Sequence, residues 1–432
     1  MDNHNDFRNE YNQRVIENYQ FNFPVGIFQG LFFYAGLGFY NYSSIFASFV
    51  YDLSGSEVVV GFMATVMGIG YTIAQLYGPA SIEHLKLKKP VMLKFGLLYR
   101  MPWLLMGISL TVFPVSIALP IVIILYGSLN FFNGLYLLTF FDFMSKIIPV
   151  SFRGTYFGLR NSLSMGFQAG AGYLAGVLVG RFSYLRGVAY VSPIGYAICF
   201  ILAFIVHMID WIALSKLKEE PALVPGIQRS VRDTIINYPK LLRGDKNFSR
   251  YCIMRALISL GFYTSAFIIV FAKNRISVTG EMLGIFTAVN LVSIALGNYV
   301  GGQMANRIGF KRLLETAAFC VAAIYFTTSL LGSFSAFLVF FIVNGFMTGW
   351  IFISFDNLIM EFGRPDNRPS YIAISSMISG VSGILGPMTA GLIASKFSFV
   401  ALFYGIGIIV MLTSIIMHFT VTDPRHIEDY WV

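Results

Sequence analysis

Long apolar runs alternate with short polar ones along almost the whole chain. From Phe23 onward, twelve runs are each long enough to cross a hydrocarbon core of about 30 Å, which takes roughly 20 helical residues. They lie at 24–50, 57–80, 91–112, 119–144, 154–180 and 190–214. After a polar interval come 251–273, 281–304, 312–332, 335–361, 369–394 and 398–421. Within each run apolar residues are continuous and do not alternate with polar ones. A spanning segment must satisfy its own backbone hydrogen bonds, so the pattern predicts helices and not barrel strands. The expected fold class is an all-α membrane protein of twelve transmembrane helices in two six-helix bundles.

Composition agrees with that pattern. Of 432 residues, 56% are hydrophobic and 12% charged, against about 25% charged in soluble domains. This excludes an ordinary soluble enzyme and a disordered chain. Cys199, Cys252 and Cys320 are isolated thiols inside apolar runs and form neither a disulfide framework nor a metal spacing. The net charge of +9 is spread between the runs and not gathered on one domain, which argues against nucleic acid as a partner.

Basic residues set the expected orientation, because Lys and Arg are retained on the cytosolic side. With the amino terminus inside, the cytosolic segments hold 22 Lys and Arg and the external loops five: Arg181, Arg186, Lys273, Arg275 and Lys396. Both termini are therefore expected in the cytosol. The default location is a plasma membrane of bacterial inner-membrane type, since residues 1–23 lack the features of a secretory signal. The expected organisation is a cytosolic tail (1–23), a six-helix bundle (24–214), a cytosolic linker (215–249), a second bundle (250–421) and a cytosolic tail (422–432). Within the linker, 231–242 can form a surface helix, with Ile235, Tyr238 and Leu242 on one face. A solvated basic connector is the alternative.

The two halves repeat each other. At an offset of 223, Gly38-Phe39-Tyr40 falls on Gly261-Phe262-Tyr263, Ser54 on Ser277, Gly61 on Gly284, and Lys88-Lys89 on Lys311-Arg312. At an offset of 215, Arg153 falls on Arg368, Tyr156 on Tyr371, Ser164 on Ser379, and Ala175-Gly176 on Ala390-Gly391. Matches at fixed offsets are the mark of a duplication, here of two bundles in parallel order.

One loop points to a family. The segment from Gly302 through Asn306, Arg307 and Gly309 to Lys311 and Arg312 follows the eighth run. It resembles the signature loop of the major facilitator superfamily, with Asn306 in place of that loop's acid. The resemblance in topology covers essentially the whole chain. It implies that Gly302 lets two helices approach, that Gly309 makes the tight turn, and that the cations latch neighbouring helix ends. The matching first-half segment, Gly78 to Lys89, keeps mainly its basic end. Glu361 and Arg368 resemble a Glu and Arg at the same spacing in sugar-transporting members. They imply a latch against Arg307 that moves between states, or else a static pair. The first half has Lys146 where that Glu would stand.

Other charges within the runs are candidates for gating or coupling. Arg160 lies about 10 Å deeper than Arg153, on nearly the same face of the fifth run. It admits a contact with a substrate anion, a gate role, or a buried structural pair, with Asp142 as the expected partner. Asp356 is near the repeat mate of Asp142 and is the other titratable gate candidate. Arg100 and Arg255 are expected to snorkel, and Asp210 to lie at the interface.

Polar side chains deep in the runs are the candidates for a substrate cavity: Gln29, Tyr34, Asn41, Gln75, Asn130 and Asn133 in the first four, and Asn161 and Gln168 in the fifth. Tyr263, Asn290, Asn344 and Trp350 continue the set in the second half. Such groups suit an uncharged polyhydroxylated or heterocyclic solute, and singly each also serves as interhelical glue. No enzyme motif or metal spacing occurs among the five histidines, and no nucleotide loop is present, so neither catalytic residues nor a cofactor is expected and transport must run on gradients.

The resulting expectation is a secondary active or facilitative transporter of a small neutral polar solute, sugar-like or nucleoside-like. It would work as a monomer by alternating access, with protons or another ion as coupling partner. Efflux of amphipathic drug-like compounds and a transporter-like sensor or scaffold without flux are the alternatives.

Overall fold

The computed structural model describes the backbone of residues 2–82, 85–149, 152–183, 192–221, 231–362 and 368–426. Side chains are described at the same positions except 2–12, 75–82, 153–155, 231–237, 368–370, 373 and 426. Twelve helices among these residues are long and apolar enough to span a membrane. The first six are Gln13–Ser54, Glu57–Ala74, Lys89–Val112, Val115–Ile147, Tyr156–Phe182 and Ile194–Lys216. The second six are Lys246–Arg275, Gly280–Ile308, Phe310–Leu330, Phe334–Glu361, Ile374–Lys396 and Phe399–Thr420. The protein is an all-α integral multi-pass membrane protein, as the apolar pattern requires. Large side chains such as Phe419, 81% exposed, find their apolar solvent in lipid.

Short polar side chains start several spans. Asp245, Thr279, Ser333 and Ser398 each accept a hydrogen bond from the backbone N–H three residues on, which satisfies a donor the helix itself leaves free. Two stops use glycine. Gly55 (φ 62°) ends the first span and Gly309 (φ 87°) ends the eighth, conformations that a side chain with a Cβ adopts only at a cost. The linker contains a helix, Val231–Gly244.

The first span begins earlier than its apolar run. Its helix starts at Asp2, and the polar stretch has partners in the segment after the sixth span. Asn18 donates to Glu220 at 2.9 Å, and Asn22 exchanges two 2.9 Å bonds with the backbone of Lys218.

By contact density the chain divides into two compact units. One comprises Met1–Tyr40, Gly70–Ala175 and Pro193–Thr234; the other comprises Asn41–Ile69, Gly176–Ser192 and Ile235–Val432. Within the first unit the third span packs on the fourth and sixth, and the first on the sixth. Within the second, the ninth packs on the tenth and twelfth, and the seventh on the twelfth. The same helix pairs recur six spans later, as a duplication demands. Segments 41–69 and 176–192 belong to the unit that contains the second half of the chain.

Candidate functional site

The first unit holds a cluster of charges in its apolar interior. Arg100 and Asp210 are both fully buried and pair at 2.6 Å between the third and sixth spans. Every guanidinium nitrogen of Arg100 is used: Nη2 on Asp210, Nε on the His207 carbonyl at 2.8 Å and Nη1 on the Gly96 carbonyl at 2.6 Å. Asp210 also accepts from Gln29 at 3.1 Å, and its other oxygen lies 3.0 Å from His207 Nδ1. With the carboxylate accepting, Nδ1 carries the imidazole proton. Nε2 then accepts from Tyr99 or Tyr40, whose hydroxyls lie 3.2 and 3.4 Å away and 2.7 Å from each other. Gly36 makes room for the imidazole ring, since a Cβ there would overlap it.

This arrangement corrects the expected interfacial positions of Arg100 and Asp210. A guanidinium in lipid is costly, and a buried carboxylate with a full set of donors removes that cost more completely than snorkelling. The sequence reading missed Arg100, His207, Asp210, Tyr40 and Tyr99. The available signal was His207 and Asp210 three residues apart on one helix face, with an ionisable residue well inside the third span.

Gln29 bridges this cluster to the fifth span. Its Oε1 accepts from Arg160 Nη2 at 2.9 Å while its Nε2 donates to Asp210. The Arg160 guanidinium lies 5.7 Å from the Tyr34 ring and 5.3 Å from that of Phe140. Asp142, expected to pair with Arg160, instead pairs with Lys88 at 2.9 Å. Lys146 takes Glu219 at 2.5 Å. Asp142 sits five residues from the end of its helix, where Lys88 is the cation within reach.

In the second unit, glycines bring helices into backbone contact. A Cβ on Gly176 would overlap the backbone of Gly284 and come 2.6 Å from the Gly280 oxygen, and one on Gly180 would lie 3.2 Å from Gly280. The fifth and eighth spans thus interlock through two glycine pairs at four-residue spacing. Gly61 meets Pro387 and Gly391 in the same manner, and Gly68 meets Gly383. These two contacts are copies of one another: Gly61 repeats as Gly284, and Gly176 repeats as Gly391. Beside them Tyr51 donates to Asn274 at 2.7 Å, Lys273 forms an ion pair with Asp52, and Thr287 donates to Ser44 at 2.7 Å.

The same unit encloses a cavity of about 50 Å³ whose lining includes Ser43, Asn290, Tyr325, Asn344 and Thr348. Tyr325 donates to the Gly261 carbonyl, Thr348 to the Asn344 carbonyl and Asn290 to the Phe341 carbonyl. Asn344 is 6% exposed, and its side chain has no hydrogen-bond partner among the described residues. The space admits a few water molecules.

The remaining candidates scatter. Asn41 accepts from the Ser43 and Ser44 hydroxyls and fixes a π-turn at Tyr42–Phe46. Asn130 bonds to its own helix at the Tyr126 carbonyl, and Asn133 Oδ1 is buried without a partner. Asn161 is exposed and Gln168 buried. The Tyr263 ring packs on Gly383, and Trp350, whose indole N–H has no partner, packs on Gly301. Asp356 is exposed. The side chains of Gln75, Arg153 and Arg368 lie outside the described residues.

In the signature loop, Gly302 faces Ile353 and Gly309 faces the Arg425 guanidinium. Lys311 pairs with Glu315 at 3.0 Å, and Glu315 also meets His418 at 3.2 Å, joining the ninth span to the twelfth. The first half ties its third span to its sixth in the same way, through Arg100 and Asp210. Arg307 and Arg312 are exposed, and among the described residues Arg307 does not pair with Glu361, whose Oε2 is buried without a partner.

Known proteins match this chain by sequence and by fold. The sequence profile of the Major Facilitator Superfamily matches residues 251–429. An uncharacterized protein, YqgE of Bacillus subtilis (strain 168), is 28% identical over 100 residues, 23% of each chain, so the chain spans about a quarter of that relative in the match. The fold is similar to the crystal structure of a D-xylose-proton symporter, with TM-score 0.74 and 15% identity over 94% of this chain and 99% of that one. It is also similar to a mutant of the nucleoside transporter NupG, with TM-score 0.68 and 12% identity over 92% and 99%. A POT family transporter in complex with 5-aminolevulinic acid gives TM-score 0.70 and 11% identity over 92% and 96%.

Proposed function

We propose that this chain, whose residues 251–429 match the sequence profile of the Major Facilitator Superfamily, carries a small polar solute across the membrane by alternating access, driven by solute or ion gradients. The observation that carries this reading is the Asn344 side chain, which lines a polar cavity and makes no hydrogen bond among the described residues. An amide that faces such a cavity can bond a solute that supplies hydroxyls or ring nitrogens. Asn290, Thr348 and Ser43 add donors and acceptors along the same lining, which suits a hydroxylated or heterocyclic compound. The xylose and nucleoside transporters of similar fold are in keeping with that class.

The orientation that fits the basic residues has both termini cytosolic in a plasma membrane, with the monomer as the working unit. Lys273–Asp52, Tyr51–Asn274 and the glycine contacts then close the external end of the second unit. Coupling to protons would engage Asp356 or Glu361, acids without an ion-pair partner among the described residues. Uptake of labelled pentoses, hexoses and nucleosides into proteoliposomes tests the reading. Flux of at least one, reduced by Asn344→Ala, is the expected result. Absence of flux for every polar solute, with resistance to amphipathic drugs in overexpressing cells, would replace it with efflux.

A further inference from the structure

Two guanidinium groups are buried in the first unit, and their surroundings differ by a counter-ion. Arg100 uses all three nitrogens and faces a carboxylate. Arg160 is only 4% exposed, yet it makes one hydrogen bond, to the neutral amide of Gln29, and its Nε is buried with no partner. The carboxylate of the cluster, Asp210, is already engaged by Arg100, His207 and Gln29. With His207 neutral, the cluster holds two cations and one anion, an excess of one buried positive charge.

The residues beside Arg160 share its want of a partner. Tyr156 and Ser164 lie one turn before and one turn after it on the same face of the fifth span. Both are 0% exposed, and both hydroxyls lack a hydrogen-bond partner. All three side chains face glycines of the first span: Gly26 lies against the Tyr156 hydroxyl, and Gly30 lies against Arg160 and Ser164. Three donors therefore line up at four-residue spacing, with Gly26 and Gly30 of the first span facing them and Gln29 supplying the one hydrogen bond. An uncompensated charge in a membrane interior is expensive, and an oxyanion meets a guanidinium and two hydroxyls with the acceptor oxygens they need.

We propose that Arg160, with Tyr156 and Ser164, holds the anionic group, a carboxylate or phosphate, of a transported solute. This rests on the transport reading above and changes the uncharged solute expected from the amide content alone. Binding of a monoanion brings the cluster to neutrality. It also draws on the guanidinium that Gln29 now holds, and so connects solute binding to the Asp210 carboxylate through one amide.

The test uses the purified full-length protein and matched probes: glucose against glucuronate, and uridine against uridine monophosphate, with affinity read by calorimetry. At least one charged member is expected to bind roughly tenfold or more tightly than its neutral partner. Arg160→Gln should abolish the preference and Arg160→Lys should retain part of it. Tyr156→Phe and Ser164→Ala, which remove only hydroxyls, should reduce it severalfold while thermal unfolding stays unchanged. Equal or tighter binding of the neutral members, failure of every charged member to bind, or an undiminished preference in Arg160→Gln would overturn the assignment. Flux in proteoliposomes separates the two readings. Anion binding without flux would refute transport and leave the site standing, whereas neutral-solute flux unaltered in Arg160→Gln would refute the site and leave transport standing.

Discussion

Tyr51 donates a hydrogen bond to Asn274 at 2.7 Å across 223 residues of sequence, the same spacing at which Gly38-Phe39-Tyr40 returns as Gly261-Phe262-Tyr263. A position thus meets its own copy. The neighbouring ion pair of Asp52 with Lys273, each side chain less than a tenth exposed, and the doubled glycine contacts surround that meeting point.

If the pair holds this face shut, breaking it should open the face. Lys273→Ala or Asp52→Ala is expected to raise labelling of a cysteine placed at the buried Ser44 by a membrane-impermeant maleimide several-fold. Removing one partner of a buried pair costs about 3–5 kcal/mol. The exchange Asp52→Lys with Lys273→Asp should restore protection. Unchanged labelling in both single variants would show that the glycine contacts alone suffice.

Asp210→Asn leaves Arg100 charged and unpaired in an apolar interior. Thermal unfolding in detergent should register a loss of about 3–5 kcal/mol. Arg100→Met combined with Asp210→Leu should recover a large part of it, because the desolvation cost disappears together with the pair. Additive losses in the double variant would mean that the two side chains act independently.

Why the sequence disclosed some of this and hid the rest follows from range. A span is a local property, so the twelve apolar runs correspond to the twelve helices. The polar extension of the first helix was hidden because Asn18 and Asn22 are held by Glu220 and Lys218, some two hundred positions away. Gln29, Arg160, Asn290 and Asn344 were legible as polar groups with no lipid role. Arg100 and Asp210 were misjudged because depth was measured from run ends, whereas their burial depends on each other across 110 residues. The pairing of Asp142 failed for the same reason, since Lys88 reaches it from a different loop.

Gly309 has φ 87°, and the Arg425 guanidinium occupies the place of a Cβ. Gly309→Ala should therefore cost about 1–2 kcal/mol from the backbone alone and displace Arg425 as well. Gly332, with nothing near its Cβ position and an ordinary φ, serves as the control. Gly332→Ala should leave the melting temperature unchanged, and an equal response of the two variants would remove the turn argument.

Asn344→Leu should divide stability from function. Replacing an unpartnered amide with an apolar side chain should hold or raise the melting temperature, while solute uptake falls about tenfold. A variant that loses both together would make Asn344 a packing residue.

The link between Arg100 and Asp210 also bears on biogenesis. The ribosome delivers the cation 110 residues before its counter-ion, so the third helix reaches the translocon while its guanidinium has no partner. Insertion of an isolated Arg at mid-helix costs about 2.5–3.5 kcal/mol. Nascent chains arrested before the sixth helix should then be held at the insertion machinery, or handed to quality-control proteolysis, until Asp210 arrives.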